Sequence, residues 1–551
     1  MAPPRGARVR GFRTGSEVLE PTRRDRSNWI VAGVCALAAI LAFANTLGHG
    51  FVYDDALLLG EPRVQSLAAW REILTQPFFR SAANDIDVWR PAASLSFALD
   101  FTISGWFGDG APNPPVFHVG NVLWHAAASA LAGLLALRLG LSRAAALAAG
   151  LLFAVHPIHT EAVANVYQRQ ELLAATFGFA FLLAHRAGRG GWAGVLFLLA
   201  LASKESALGF LPFALALDAL LPQGARRFRP RAWIGPALAL AIYLALRMQA
   251  LDGVQPRPML LENPSGTVSA LERIATAARV QTLYLGLLAW PFGLSSDYSF
   301  DQIPIVSSLR DPRVLLFVGI AAVALYAAWH WRATRPRVAI AVLAYVCLFA
   351  VTSNVLFPIG TIAAERLVYA PTLAAGLLVA EALVIAAERG LGRAAWVAAT
   401  AIVLAAGLAS VDRNRVWADD VTLFRDQVKT APRSAKGHLN LGIALQRAGD
   451  NEGAARALET SLAIYPDNSH TWYSLGVALY NVRAEPKRVV QAFDNALRYG
   501  PMHHDARVKL ILVLLQLHAK DDARRQIEEL ARLAPAHPQL PELRARLAAA
   551  K

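Results

Sequence analysis

The chain has 551 residues, 55% of them hydrophobic and 17% charged, with a formal net charge of +14. Apolar runs of this extent exclude a purely soluble protein and point to a polytopic membrane protein. Much of the positive charge is Arg in short connecting loops, so it marks topology and is not a nucleic-acid footprint; Cys35 and Cys347 offer neither metal spacing nor a disulfide framework.

The elements follow in chain order from the apolar runs and the positive-inside rule. Residues 1–28 hold seven Arg and no apolar stretch, a basic tail expected in the cytoplasm. The run 29–46 ends without a small-x-small cleavage site and reads as an anchor that exits the membrane. A long polar loop, 47–117, carries Tyr53-Asp54-Asp55 and Trp89-Arg90-Pro91. The second span, about 118–137, returns to Arg138 and Arg143. The third, 144–158, exits and delivers His156, His159 and Glu161, with Pro157 breaking the helix. The fourth, 171–185, begins beside Arg169 and Glu171 and returns to Arg186 and Arg189. Spans 191–203 and 207–221 form a hairpin with Lys204-Glu205 at its outer tip. Arg226, Arg227, Arg229 and Arg231 mark a cytoplasmic loop, and 232–250 exits. Segment 279–294 is as short as a re-entrant or interfacial helix, and parity makes it non-crossing. Span 314–330 returns. Spans 338–352 and 367–387 flank an outer loop with Glu365-Arg366, and 394–410 exits. The expected total is eleven crossings, with the N-terminus cytoplasmic and the C-terminus external.

Residues 411–434 read as a linker. From 435 to 551 the chain shows about three tetratricopeptide repeats and a capping helix: Leu441-Gly442 and Leu475-Gly476 are 34 residues apart. Ala454 and Pro466 complete the first unit, Phe493, Ala496 and Pro501 the second, and Leu510, Leu514, Ala523 and Pro535 a weaker third. The expected fold is all-α: a polytopic helical membrane domain over 29–410, then an α-solenoid that parity places outside.

Charge within a membrane segment is expensive and usually marks a substrate or ion path. Here the clusters all fall on the outer face. Adjacent carboxylates at Asp54 and Asp55 suit a base and a hydroxyl or metal binder; a solvated loop start is the plainer reading. His156, His159 and Glu161 match no fixed metal motif. Arg169 and Glu171 suit structural pairing or, for the Arg, phosphate binding. Lys204 beside Glu205 suits snorkelling equally. Arg366 is the strongest single candidate for a donor phosphate, and packing and capping are the plainer reading of Trp89-Arg90-Pro91. No matching polar cluster is expected on the inner face, and no inverted repeat of broken helices favours a transporter.

The run Val52-Tyr53-Asp54-Asp55, then Trp89-Arg90-Pro91, His118 and Asn121, resembles the transmembrane and tetratricopeptide repeat-containing O-mannosyltransferases. The resemblance continues through His156-Pro157-Ile158-His159-Thr160-Glu161, Arg169, Glu171-Leu172, Lys204-Glu205 and Glu365-Arg366-Leu367-Val368-Tyr369-Ala370-Pro371. It runs from 29 to about 536, with Gln168 where the family tends to have Gly and a poor match over 252–313. The resemblance implies a glycosyltransferase of the membrane-embedded C superfamily that uses a polyprenyl-phosphate sugar on the outer face. An acidic residue of the first external loop then stands at the catalytic centre, which falls on Asp54 and Asp55. The expected donor-side and substrate-binding residues are Arg366, Glu365, Lys204, Glu205, His156, His159, Glu161, Arg169, Glu171, Arg90 and Tyr369. Metal dependence stays open: the Asp pair permits a divalent ion, and the cationic cluster would do the same electrostatic work. The repeats would present a protein or peptide acceptor. The Ala- and Arg-rich composition places the chain in a bacterial cell membrane. A non-enzymatic membrane scaffold is the alternative.

Overall fold

The computed structural model describes residues 26–78, 88–107, 111–221, 229–251 and 262–550. The basic tail before Arg26, and Arg226 and Arg227 of the expected cytoplasmic loop, lie outside the described residues. Among the described residues every regular element is a helix.

Helix α1 (Arg26–Phe43) occupies the first apolar run and tightens into a 3-10 turn through Gly48. The polar loop that follows is folded. It contains α2 (Asp55–Leu59), α3 (Trp70–Thr75) and α4 (Pro91–Ser104), the last opened by a proline at its first position. Leu58, Val64, Phe78 and Phe97 supply its core by packing with Phe117 and Tyr167.

Next come α5 (Pro114–Arg138) and α6 (Arg143–Val155), whose first turn is capped by the Ser142 side chain. Pro157 cannot donate to the helix, so α6 stops and the chain bends by 45° into a 3-10 turn and α7 (Thr160–Ala164). Helices α8 (Arg169–Arg186), α9 (Gly190–Ser203), α10 (Phe210–Leu220) and α11 (Pro230–Leu251) follow. Helices α9 and α11 meet through glycines: a Cβ on Gly194 would lie 2.6 Å from the Gly235 carbonyl carbon. Small residues at such crossings let backbones approach where lipid removes the hydrophobic drive for helices to associate.

The apolar segment expected at 279–294 belongs to α12 (Ala270–Ala289), which starts earlier and ends sooner. Its start is set by a reciprocal capping box between Ser269 and Glu272, a local signal outside the apolar run. One face buries Ala275, Val280, Tyr284 and Leu287. Helices α13 (Pro312–Trp331), α14 (Pro336–Phe349), α15 (Leu373–Glu388) and α16 (Gly392–Asn414) complete the apolar part. Helix α13 exposes Leu315, Val318, Leu325 and Trp329, a nearly continuous apolar surface that suits lipid and not water. Among the described residues six helices are long and apolar enough to cross a membrane, seven if the bent pair Arg143–Val155 and Pro157–Ala164 forms one span. Gly190–Ser203 and Pro336–Thr352 are shorter apolar helices. The chain is a multi-pass membrane protein.

The expected linker is structured, because α17 (Asp420–Thr430) fills much of it and buries Leu423, Phe424 and Gln427. Three helical hairpins follow: α18 (Ala435–Arg447) with α19 (Asn451–Ile464), α20 (Ser469–Asn481) with α21 (Pro486–Tyr499), and α22 (His504–Gln516) with α23 (Lys520–Leu533). Helix α24 (Leu540–Ala549) closes the array. The repeated Leu-Gly pair has a steric cause. A Cβ on Gly442 would press on Leu458, and one on Gly476 on Phe493, each on the second helix of the hairpin.

One expectation is corrected at the helix ends opposite Arg169 and Arg247. His185 Nε2 and Asp218 Oδ2 are 2.9 Å apart, Trp233 Nε1 donates to the same oxygen at 3.2 Å, and Arg186 adds a third contact. Buried Glu381 pairs with Arg335 at 3.2 Å and Arg337 at 2.5 Å. Polar clusters therefore stand at both ends of the bundle. Asp218 and Glu381 sit singly in apolar runs and acquire partners from other helices, which no linear pattern displays.

Gly194→Val should destabilise the protein by about 1–3 kcal/mol through overpacking against α11. Gly319→Ala, where a Cβ meets nothing within 4 Å, should not. Melting temperatures of both variants in detergent check the pair.

Candidate active site

The first loop delivers Asp54 on a strained turn. Tyr53 adopts φ +55°, the left-handed region that a bulky side chain disfavours. Asp55 holds this turn from within. It is 0% exposed, its Oδ2 accepts the Val52 N–H at 3.0 Å, and its Oδ1 accepts the Tyr167 N–H at 2.8 Å. Burial pushes its carboxyl up to about 8, against the pull of those two N–H groups. Asp54 is half-buried, and its Oδ2 accepts from Gln168 Nε2 at 3.0 Å. The adjacent carboxylates therefore differ: Asp55 is committed to the backbone, and Asp54 faces the polar cluster.

Four cations converge near this turn. The Arg366 guanidinium pairs with fully buried Glu161, and its backbone N–H donates to the same carboxylate at 2.8 Å. The Lys204 ammonium pairs with Glu171. Arg90 donates to Glu205 Oε2 at 2.9 and 3.1 Å and to Gln170 Oε1 at 2.6 Å. Arg247 donates to the other oxygen of Glu205 at 2.8 Å. Burial would raise the Glu205 carboxyl, but Arg90 and Arg247 outweigh it and hold it down to about 2. One carboxylate thus serves two guanidiniums, which leaves local positive charge.

Other expected site residues are enclosed by the fold. Arg169 is 1% exposed; it pairs with Asp100 and donates to Asn121 Oδ1 and the Phe117 carbonyl, each at 2.7 Å. His156 accepts the Ile158 N–H at Nδ1, 3.2 Å away, and its Nε2 meets the Leu288 carbonyl at 3.1 Å. His159 is fully buried among Phe153, His125 and Tyr369. Tyr369 is equally buried, with its hydroxyl 2.6 Å from His125 Nδ1. Glu365, 1% exposed, accepts the Ser295 N–H at 2.5 Å and the Tyr298 hydroxyl at 2.7 Å. Arg169, His156 and His159, expected on the donor side, thus have polar atoms or ring faces enclosed by protein.

Among the described residues no three His, Cys, Asp or Glu side chains gather to hold a metal ion. The Asp54-Asp55 pair does not fit one either, because Asp55 turns both oxygens onto backbone donors.

The expected site residues leave out Arg247, Tyr167, Gln168 and Gln170. Arg247 had a usable signal. It lies inside an apolar run at the end opposite the Arg-rich loop, where the positive-inside rule does not ask for it. Gln168 stands out only as a departure from the resemblance, and Gln170 has no signal beyond its neighbours.

Arg169→Met should cost about 3–5 kcal/mol, because it leaves buried Asp100 without its partner. The double variant with Asp100→Leu should recover much of that loss, and thermal unfolding of the three proteins checks the sign.

The family model described as Protein O-mannosyl-transferase TMTC, DUF1736, matches residues 255–325. That match corrects the poor resemblance expected over 252–313. The mouse (Mus musculus) protein O-mannosyl-transferase TMTC3 is 26% identical over 479 residues, covering 80% of this chain and 51% of the relative. The Homo sapiens protein O-mannosyl-transferase TMTC1 is 27% identical over 515 residues, covering 83% of this chain and 58% of the relative. The Drosophila melanogaster protein O-mannosyl-transferase Tmtc2 is 35% identical over 301 residues, covering 51% of this chain and 31% of the relative. The chain spans about half the length of the first of these relatives. The crystal structure of MamA overlaps 23% of this chain and 81% of its own at 19% identity, with a TM-score of 0.22. The chain is a distant homologue of the TMTC protein O-mannosyltransferase family.

Proposed function

We propose that the chain is a membrane glycosyltransferase that moves a sugar, mannose or another hexose, from a polyprenyl-phosphate donor to a hydroxyl acceptor. Protein Ser or Thr is the acceptor class, in keeping with the names its relatives carry. The observation that carries this reading is the state of Asp54. Among the described carboxylates of the cluster it alone combines partial exposure with no ion pair. Asp55 and Glu365 are enclosed, and Glu161, Glu171 and Glu205 are each matched to a cation.

The step is a single displacement with inversion. The acceptor hydroxyl oxygen attacks the anomeric carbon while Asp54 takes its proton. The bond from that carbon to the donor phosphate oxygen breaks, and the lipid phosphate leaves with the electron pair. Arg90 and Arg247, sharing Glu205, carry the surplus positive charge that suits that phosphate. Lys204 and Arg366 flank the same cluster and add to its field, each beside its own carboxylate.

The membrane arrangement we propose has eleven crossings, with α12 lying at the interface. The tail 1–28 is cytoplasmic, 29–410 forms the glycosyltransferase C-type domain, 411–434 is a helical connector, and 435–551 lies outside as the acceptor-presenting repeats. The membrane is the bacterial inner membrane.

The test is sugar transfer from a panel of polyprenyl-phosphate donors by the protein in nanodiscs. Asp54→Asn should lower kcat by about 100-fold or more at an unchanged melting temperature, the usual scale for a lost general base. Asp55→Ala should instead lower the melting temperature, since it orphans two buried N–H groups at about 1–3 kcal/mol each. Arg247→Ala should raise the donor KM about tenfold, the scale of one charge-assisted hydrogen bond. If the wild type transfers no sugar from any donor while its repeats still capture an envelope partner in every variant, the scaffold reading replaces this one.

A further inference from the structure

Helices α17 and α18 reach the turn that carries Asp54. The Tyr53 N–H donates to Asp420 Oδ1 at 2.8 Å, and the Gly50 N–H donates to the Ala418 carbonyl at 3.2 Å. The Tyr53 ring stands edge-on to Phe424 with centroids 5.6 Å apart, and Lys436 Nζ lies 5.3 Å from its centroid. That is cation–π distance, and it immobilises both partners. Lys436 is fixed in turn by Glu262 at 2.7 Å, with Asp297 at 3.8 Å.

The same two helices hold the other side of the cluster. The Asp301 N–H donates to the Arg433 carbonyl at 2.9 Å, and the Ala435 N–H to the Phe300 carbonyl at 2.7 Å. Thr430 Oγ1 donates to Ser295 Oγ at 3.0 Å. The Ser295 N–H is the one that Glu365 accepts, next in sequence to Arg366. Both Asp54 and Arg366 are therefore tied, each within a few bonded steps, to the helix opening the first repeat and the helix before it.

A left-handed Tyr53 persists only where its surroundings over-determine it. Asp55 grips the turn from the membrane side, through Val52 and Tyr167. Tyr53 itself is gripped from the repeat side, at its N–H and at its ring.

We propose that Lys436, carried by the first repeat, is a positioning residue for sugar transfer: with Asp420 it holds Tyr53 in its left-handed turn and so aims Asp54. The first hairpin of the solenoid is then part of the catalytic apparatus as well as a platform for acceptors. This rests on the function proposed above.

The test uses full-length protein in nanodiscs with a polyprenyl-phosphate mannose donor and a Ser/Thr peptide. It compares wild type with Lys436→Met, Lys436→Arg and Asp420→Ala. Two readouts are taken: kcat and KM for each substrate, and hydrogen exchange at the amides of residues 53–57. Lys436→Met should lower kcat by about 100-fold, the scale of a misplaced catalytic group, with both KM values unchanged. Lys436→Arg should keep most of kcat, because a guanidinium also sits over an aromatic ring. Exchange at 53–57 should speed up in Lys436→Met and Asp420→Ala and stay slow in Lys436→Arg. Wild-type kcat in both Lys436→Met and Asp420→Ala, or unchanged exchange at 53–57, overturns the proposal. So does a fall in kcat that Lys436→Arg fails to rescue while its exchange is normal. If the wild type itself transfers no sugar, the glycosyltransferase reading fails, and the exchange data alone decide whether Lys436 and Asp420 hold the turn.

Discussion

Most Asp, Glu, Lys and Arg side chains enclosed in this protein are met by an opposite charge, and Asp55 and Glu365 by N–H or hydroxyl donors. Losing the partner of a buried ion costs several kcal/mol, more than most single contacts supply. The consequence runs through the whole membrane domain. Arg169 meets Asp100, Lys204 meets Glu171, Arg366 meets Glu161, and Arg90 meets Glu205. Each pair joins elements far apart in the chain, so the set specifies which helices are neighbours as firmly as the glycine contacts specify how close they come. Function has to use what is left after this pairing. What is left is small and chemically distinct: the carboxylate of Asp54, and the positive charge of two guanidiniums that share one Glu205.

The second constraint is the early end of several helices. Helices α6, α9 and α14 stop at His156, Lys204 and Ala350, and tight 3-10 turns follow each of them. Irregular backbone at membrane depth survives only where protein satisfies its polar groups. Here side chains do so: His156 accepts the Ile158 N–H, and Asn354 takes the Thr361 and Ile362 carbonyls at 3.0 and 3.2 Å. The truncated helices create the polar layer in which the candidate site lies. A bundle of full-length apolar helices would have no room for it.

How much of this was legible in the sequence divides along the same line. The expected apolar runs fall on helices, because a long apolar run has few other outcomes in a membrane. The break at Pro157 and the hairpins of the repeats follow from local chemistry, a missing N–H in one case and the Leu-Gly packing pair in the other. The pairing of charges was not legible, since an ion pair between residues far apart leaves no periodicity. Asp54 and Asp55 could not be separated either. What distinguishes them is a backbone donor at Tyr167, 112 residues away. Helix α12 was misplaced because its capping box lies outside the apolar run, and the segment 411–434 looked like a linker because its buried face comprises few residues, among them Leu423, Phe424 and Gln427.

That segment changes how the two halves of the chain relate. A flexible linker would leave the repeats free to hold an acceptor anywhere within its reach, and the benefit would be a local concentration only. A helical connector bonded to the loop that carries Asp54 acts differently. On the reading that Asp54 is the base, an acceptor lying along the solenoid is held in one frame with that base, since Asp420 and Lys436 belong to the same short stretch that begins the repeats. Proximity then becomes orientation, which is the larger catalytic effect when two reactants must meet in line. The relatives matched here are longer than this chain, which covers 51% of one and 58% of another. On the proposed function, a joint of this kind makes the residues at its base, and not the length of the array beyond it, the part on which transfer would depend.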